Sequence, residues 1–211
     1  MRYSSGHKER TLSKILDTAS RRFRERGIKA VSVADLMAAA GLTHGGFYAH
    51  FDSKDALVVE AIRHVLDKKR ALIRKRGSRA KKGETPLEVI ARNYLSARHR
   101  DNPGGGCPLP LLSAEIARGD EASRSALTDG VRKLVVLLSE YVGASDARER
   151  EAAAIGFVST LVGGMLLARV TNDKRLSNRI LRSGREMLST KVASRDPRPR
   201  SRHRSAHNKA D

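Results

Sequence analysis

Apolar residues recur at helical spacing along nearly the whole chain, and polar caps and glycines punctuate them. Leu12, Ile15, Leu16, Ala19 and Phe23 share one face of a first helix that Gly27 stops, with Lys14, Arg21, Arg22, Arg24 and Arg26 mostly opposite. Those cations fit a solvated face or a phosphate-facing one equally well. Ser32, with Asp35 three residues on, caps a short second helix whose apolar face is Val33, Leu36, Met37 and Ala40. Gly41 closes it, Leu42 tucks under the bend, and Thr43 caps a third helix reaching Phe51. Ser53 starts a long fourth helix carrying Leu57, Val58, Ala61, Ile62, Val65, Leu66, Leu72 and Ile73. Its basic end (Lys68, Lys69, Arg70, Arg74, Lys75, Arg76) suits the helix macrodipole and marks no site.

A polar linker, Gly77 to Glu84, precedes Thr85-Pro86-Leu87-Glu88, a capping box with proline at the first helical position that opens a fifth helix running to about His99. The glycine-rich loop from Arg100 to Gly106 is expected to be mobile. Pro108 or Pro110 begins a sixth helix that Gly119 ends, and Asp120 caps a seventh with Leu127, Val131, Leu134, Val135, Leu138 and Val142 on its face. Ser145 and Asp146 open the eighth, and Asn172 or Asp173 the ninth, with Leu176, Ile180, Leu181, Gly184, Met187 and Leu188. The pattern predicts an all-α chain of about nine helices. Residues 1–53 form a helix-turn-helix head, 54–192 a helical regulatory and dimerisation body, and 193–211 a basic, disordered tail. The arm Met1 to Lys8 is expected to be disordered too.

The stretch from Val31 to Phe51 carries the functional argument. Two short helices joined by a tight turn make a DNA-reading unit, with the first turn of the second helix aimed into the major groove. Gly45 and Gly46 sit on that turn, although each glycine costs a helix interior about 1 kcal/mol relative to alanine. Missing side chains there bring backbone close to base edges. Thr43, Tyr48, His50 and Lys54 can reach phosphate, and His44 is the only large side chain on the first turn, so Phe47 and DNA shape are expected to share the readout. Phe51 reads as a core anchor, and the same reading is the alternative for Phe47.

Thr43, Gly45, Tyr48, His50, Phe51, Ser53, Lys54 and Leu57 match the T-x-G-x-x-Y-x-H-F-x-S-K-x-x-L pattern of TetR-type transcriptional regulators. Ala19, Phe23, Gly27, Ser32, Val33 and the Ala39-Ala40-Gly41 turn also fall where that family places them, so residues 10–66 or so resemble it specifically. The resemblance implies phosphate contacts from Thr43, Tyr48, His50 and Lys54, and base reading near His44, Gly45 and Gly46. With Ser32 and Phe47 these make up the candidate DNA-binding set. It also implies a homodimeric repressor whose paired recognition helices, about 34 Å apart, read a pseudo-palindromic operator. A small-molecule inducer would enter a pocket among the fifth to eighth helices, with Tyr94, Cys107, Leu111, Leu112, Ile116 and Phe157 as candidate lining.

The eighth helix adds a flat stripe. Ala152, Gly156, Thr160 and Gly164 are spaced by four, with Ser159 and Gly163 beside them, so another helix can approach closely. With Ile180 and Met187 of the ninth helix these are the expected dimer seam, again as the family resemblance implies; packing within one chain is the alternative. Residues 152–168 are slightly short for a membrane span, hold three glycines and have charged flanks, so no membrane partner is expected.

Net charge is +19, and residues 1–76 and the tail hold most of the excess. Double-stranded DNA is the expected partner, although charge alone also fits a protein that coats DNA without sequence preference. The single cysteine, Cys107, excludes a disulfide framework, and no secretory signal is visible, so a cytoplasmic protein is expected. Cys107 follows Arg98, His99 and Arg100 near a helix N-terminus, which would favour thiolate and make its oxidation or alkylation an inducing signal. No cofactor is implied and no metal site, since His203 and His207 lack companion ligands. Enzyme motifs are absent; a thiol enzyme built on Cys107 is a remote alternative, and the chain is read as a non-enzyme.

Overall fold

The computed structural model describes residues 5–193 of the chain, all of its regular elements being helices. In order they are α1 (Ser5–Arg26), α2 (Val33–Ala39), a 3₁₀ helix (His44–Ala49), α3 (Lys54–Gly77), α4 (Pro86–Tyr94), α5 (Ala97–Arg100), α6 (Leu109–Ile116), α7 (Glu121–Ser139), α8 (Ala147–Val170) and α9 (Lys174–Ala193). Helix α1 already begins at Ser5, so Ser5 to Lys8 are helical and not part of a disordered arm. The expected basic tail lies outside the described residues.

The local stop and start signals act as their chemistry requires. Ser53 Oγ accepts from the Ala56 amide, and Thr85 and Glu88 form the reciprocal capping box that opens α4. Gly27 (φ 84°) and Gly41 (φ 65°) take the left-handed conformation that ends α1 and α2. At Gly41 the closure is complete: the Leu42 amide bonds the Met37 carbonyl at 2.9 Å and the Gly41 amide bonds Ala38 at 2.9 Å.

One predicted helix is interrupted. The fifth ends at Tyr94, and α5 restarts after Ser96, because two carbonyls at the break have outside partners. Tyr94 O bonds His99 Nδ1 at 2.8 Å, and Leu95 O accepts from Arg185 on α9.

The head packs α1, α2 and the 3₁₀ helix on the first half of α3 around Ile15, Phe23, Leu36, Phe47 and Leu57. Helix α3 then runs on against α7, where Gly130 lets Leu66 approach so closely that no Cβ would fit. Helices α8 and α9 complete the body, with Leu138, Leu161 and Met165 fully buried. Hydrogen-bonded contacts tie head to body, among them that of Asp17 on α1 with Lys68 on α3. Glu115 of α6 accepts from the Ile28 and Lys29 amides at 2.9 and 2.8 Å, capping the turn after α1. Arg24, buried on α1, donates to the Gly104 carbonyl in the glycine loop, with Nε at 3.0 Å. A Cβ at Gly104 would crowd the Glu25 carboxylate and Arg21, so both side chains would have to give way to one.

Candidate functional site

The predicted reading helix is a 3₁₀ helix, and Thr43 makes no side-chain cap. Six residues leave little room for α-type bonding, and the tighter i→i+3 bonds are made instead: Gly46 N to Thr43 O at 3.1 Å and His50 N to Phe47 O at 2.9 Å. Its footing is aromatic. Phe47 is only 1% exposed and stacks on Phe51 with centroids 5.6 Å apart. Phe47 is therefore a core residue and is withdrawn from the base-reading set.

What remains outside is a compact polar surface. Thr43, His44, Gly45 and Tyr48 are exposed, while His50 and Lys54 are half-buried at its edge. Tyr48 stands 62% exposed, held edge-on against Phe47 at 5.2 Å and His44 at 5.9 Å. A Cβ added to Gly45 would meet nothing within 4 Å. No internal contact demands glycine there, so the position stays bare toward the outside. Gly46 is different: its Cβ would touch Thr43 Oγ1 at 3.4 Å and Met37 Cε at 3.8 Å, which is ordinary contact. Burial lowers the pKa of His50, with a smaller contribution from Lys8, so the neutral ring is favoured until an anion approaches. Ser32 is exposed, but its hydroxyl is engaged at the α2 start, accepting from the Asp35 amide at 3.1 Å and donating to Asp35 Oδ2 at 2.7 Å.

The second feature is a cavity of about 230 Å³ in the body. The last turns of α3 supply Lys69, Leu72, Ile73 and Arg76, and α4 and α5 supply Tyr94, Arg98 and His99. The glycine loop, with Cys107 at its end, closes the wall. That loop, expected to be mobile, is pinned from several sides: by Arg24 at Gly104, by Lys69 at the Gly105 carbonyl and by Asn102 at the Gly105 amide. His99 completes the clasp. Its Nε2 accepts from the Cys107 amide at 2.9 Å, so Nδ1 carries the proton and donates to Tyr94 O.

Of the candidate lining residues, Tyr94 and Cys107 border this cavity and the other four do not. Leu112 and Ile116 are buried in the core, Leu111 is half-buried against it, and none of the three lines this cavity. Phe157 instead lines a separate groove with Tyr141, Ala152, Gly156 and Thr160. Lys69 and Arg76, set aside as macrodipole charges, face the cavity. Cys107 is buried, and burial pushes its thiol pKa up. The expected thiolate gives way because loss of water outweighs the nearby Lys69 and Arg169 charges. Arg100, counted among those cations, turns away to Asp101, Ser177 and Asn178.

The clasp has a pH signature. Burial, with Arg169 and Lys69 nearby, lowers the His99 pKa to about 4 from an ordinary 6.5. Between those values the unfolded chain binds a proton that the folded one refuses, so this stability is complete above pH 6.5 and is lost as pH falls toward 4. The full loss is about 3 kcal/mol. Urea unfolding at pH 7.5 and 4.5 should therefore show a steeper fall for the wild type than for His99→Gln. Equal falls would show that His99 is not the group responsible.

The stripe on α8 divides. Gly156 and Gly163 have open space where a Cβ would stand, but Gly164 meets Leu95 at 3.2 Å and belongs to the intrachain packing. The outward face instead joins Ala152, Gly156 and Ser159 with Ile155, Leu166 and Val170, all exposed. Thr160 is half-buried and bonds Gly156 O at 2.9 Å. On α9 Met187 is 52% exposed, whereas Ile180 packs partly against the core. Helix α8 is long and apolar enough to cross a membrane by length and composition.

Comparison with known proteins agrees with the head's geometry. The family model described as bacterial regulatory proteins, tetR family, matches residues 15–61. The HTH-type transcriptional repressor KstR2 of Rhodococcus jostii is 46% identical over 55 residues, which are 26% of this chain and 27% of that protein. The chain thus spans about a quarter of the length of that relative. The uncharacterized HTH-type transcriptional regulator Rv0196 of Mycobacterium tuberculosis is 25% identical over 183 residues, 82% of this chain and 91% of its own. Among solved structures, a TetR transcriptional regulator from Chloroflexus aurantiacus superposes with TM-score 0.73 at 20% identity, covering 90% of this chain and 97% of its own. The reduced form of E. coli NemR does so with TM-score 0.71 at 21% identity, covering 86% and 96%.

Proposed function

We propose that this chain, whose residues 15–61 match the tetR family of bacterial regulatory proteins and whose fold matches that of solved TetR regulators, is a homodimeric, sequence-specific transcriptional repressor in the cytoplasm and not an enzyme. A small molecule entering the cavity behind Tyr94 releases it from DNA. The observation that carries the DNA-binding part is the bare Gly45 backbone, set between exposed Thr43, His44 and Tyr48 on a rigid aromatic footing. Donors at the rim position the phosphates, and close backbone approach with His44 reads bases and shape.

The apolar outward face of α8 supports the homodimer. Ile155, Leu166 and Val170 are large and exposed, and the glycines between them leave room for a second helix. A partner copy covers this face better than lipid would, since α8 is also packed against α7 and α9. The route from cavity to DNA is short. Gly104 and Gly105 stand in the cavity loop, and Arg24 joins that loop to the helix on which the reading unit packs. Shifting the loop shifts α1, and with it the distance between two reading heads. The buried, protonated Cys107 serves as cavity wall and not as trigger.

Footprinting on the DNA upstream of its own gene, against a shuffled fragment and across a salt series, tests this reading. A compact two-fold footprint that the shuffled fragment cannot match is expected. Equal binding to both, weakening together with salt, would leave the charge-driven DNA-coating alternative in its place.

A further inference from the structure

The lining of the body cavity has one sign of charge. Lys69, Arg76 and Arg98 border it, Asp and Glu are missing from its wall, and none of the three forms an ion pair among the described residues. Burial weighs most against the charges of Lys69 and Arg76, and neighbouring cations add to it, Arg24 and Arg76 at Lys69 and Arg98 at Arg76. Folding has gathered them there without a carboxylate partner, and the Lys69 ammonium contacts only the Gly105 carbonyl. Deeper in, the buried Tyr94 hydroxyl meets the Cys107 thiol and bonds no oxygen or nitrogen. A thiol is a weak partner, so most of this hydroxyl's hydrogen-bonding capacity is left for a ligand. Past Tyr94 the wall changes character. A second space of about 20 Å³ shares Lys69, Ile73, Tyr94 and Cys107 with the first and is otherwise bordered mainly by apolar side chains such as Leu134, Leu138 and Leu161.

We infer that this cavity takes a small amphiphilic organic anion, its carboxylate or phosphate set against Lys69, Arg76 and Arg98 and its apolar body against Leu72, Ile73 and Tyr94. A cationic ligand would add to the existing repulsion, and a neutral one would leave the cations as they are. An anion alone relieves them, in a setting partly shielded from water where a charge pair is stronger than at the surface. The volume limits the body. A cavity of about 230 Å³ lies below the 300–1,000 Å³ usual for drug-sized ligands, so a short chain or a single ring fits. This assignment names the ligand class of the inducer cavity proposed above and rests on that reading for its regulatory meaning, but the chemistry can be tested without DNA.

Calorimetric titration of the purified full chain with octanoate, octyl phosphate, 1-octanol and octylamine separates the charge from the chain. Octanoate or octyl phosphate is expected to bind at least tenfold more tightly than octanol, and whichever of the two is tighter identifies the head group. The Arg76→Gln/Arg98→Gln variant should lose that preference. An Arg124→Gln/Arg132→Gln variant, which removes two exposed charges from α7, should keep it. Equal binding of octanol and the anions, stronger binding of octylamine, or a preference that survives in Arg76→Gln/Arg98→Gln would overturn the assignment. Octanoate binding with the stated preference but without release of the footprinted DNA would uphold the ligand class and count against the inducer role alone.

Discussion

Phe47→Ala is expected to lower the free energy of unfolding by about 3–5 kcal/mol, the usual cost of emptying a buried aromatic site. The ring is 1% exposed, is stacked on Phe51 and forms the floor on which Tyr48 leans. Its loss leaves a void beneath a helix of only six residues, too short to hold its own shape. Thermal denaturation would show the effect as a fall of about 2–4 °C for each kcal/mol lost. DNA binding should fail with it, because the reading surface loses its support. A variant that kept wild-type stability but lost DNA binding would return Phe47 to the base-contacting residues.

Gly45→Gln is expected to act the opposite way. The added side chain meets no protein atom near its Cβ, and a helix gains slightly when a glycine is replaced, so stability should change by less than about 1 kcal/mol. Operator affinity should fall by about 10- to 100-fold, the 1–3 kcal/mol that a good base contact is worth. Gly46→Ala supplies the contrast. Its Cβ makes ordinary contacts with Thr43 and Met37 inside the protein, so that variant should keep most of its affinity. Titration of fluorescent operator DNA, with the melting temperature of each variant measured beside it, distinguishes the two glycines. If Gly45→Gln bound operator as tightly as wild type, the close-approach argument would fail.

The two variants also mark where sequence reasoning succeeded and where it stopped. Both residues were legible as members of one turn-and-helix unit, because caps and glycine stops act within a few residues of each other. Ser32 with Asp35, the Gly41 closure, Ser53 and the Thr85–Glu88 box all behave as their spacing requires. Which aromatic points inward is another matter. Phe47 and Tyr48 are adjacent, and only the packing of α1, α2 and α3 decides that Phe47 is buried while Tyr48 stands out.

The chain's own pattern therefore determined the helical class, the helix-turn-helix head, most helix limits and the basic character, since each follows from periodicity, local hydrogen bonding or composition. Tertiary structure alone decided what those helices enclose. The break after Tyr94 exists because His99 and Arg185 capture two carbonyls. Lys69 and Arg76 became cavity residues, and Cys107 a protonated one, because α3, α4 and the glycine loop close around them. Glu115 and Arg24 join body to head across separations of 87 and 80 residues. A side chain's chemistry is written at its own position, but the neighbours that unpair, desolvate or orient it come from elsewhere in the chain and meet it only on folding.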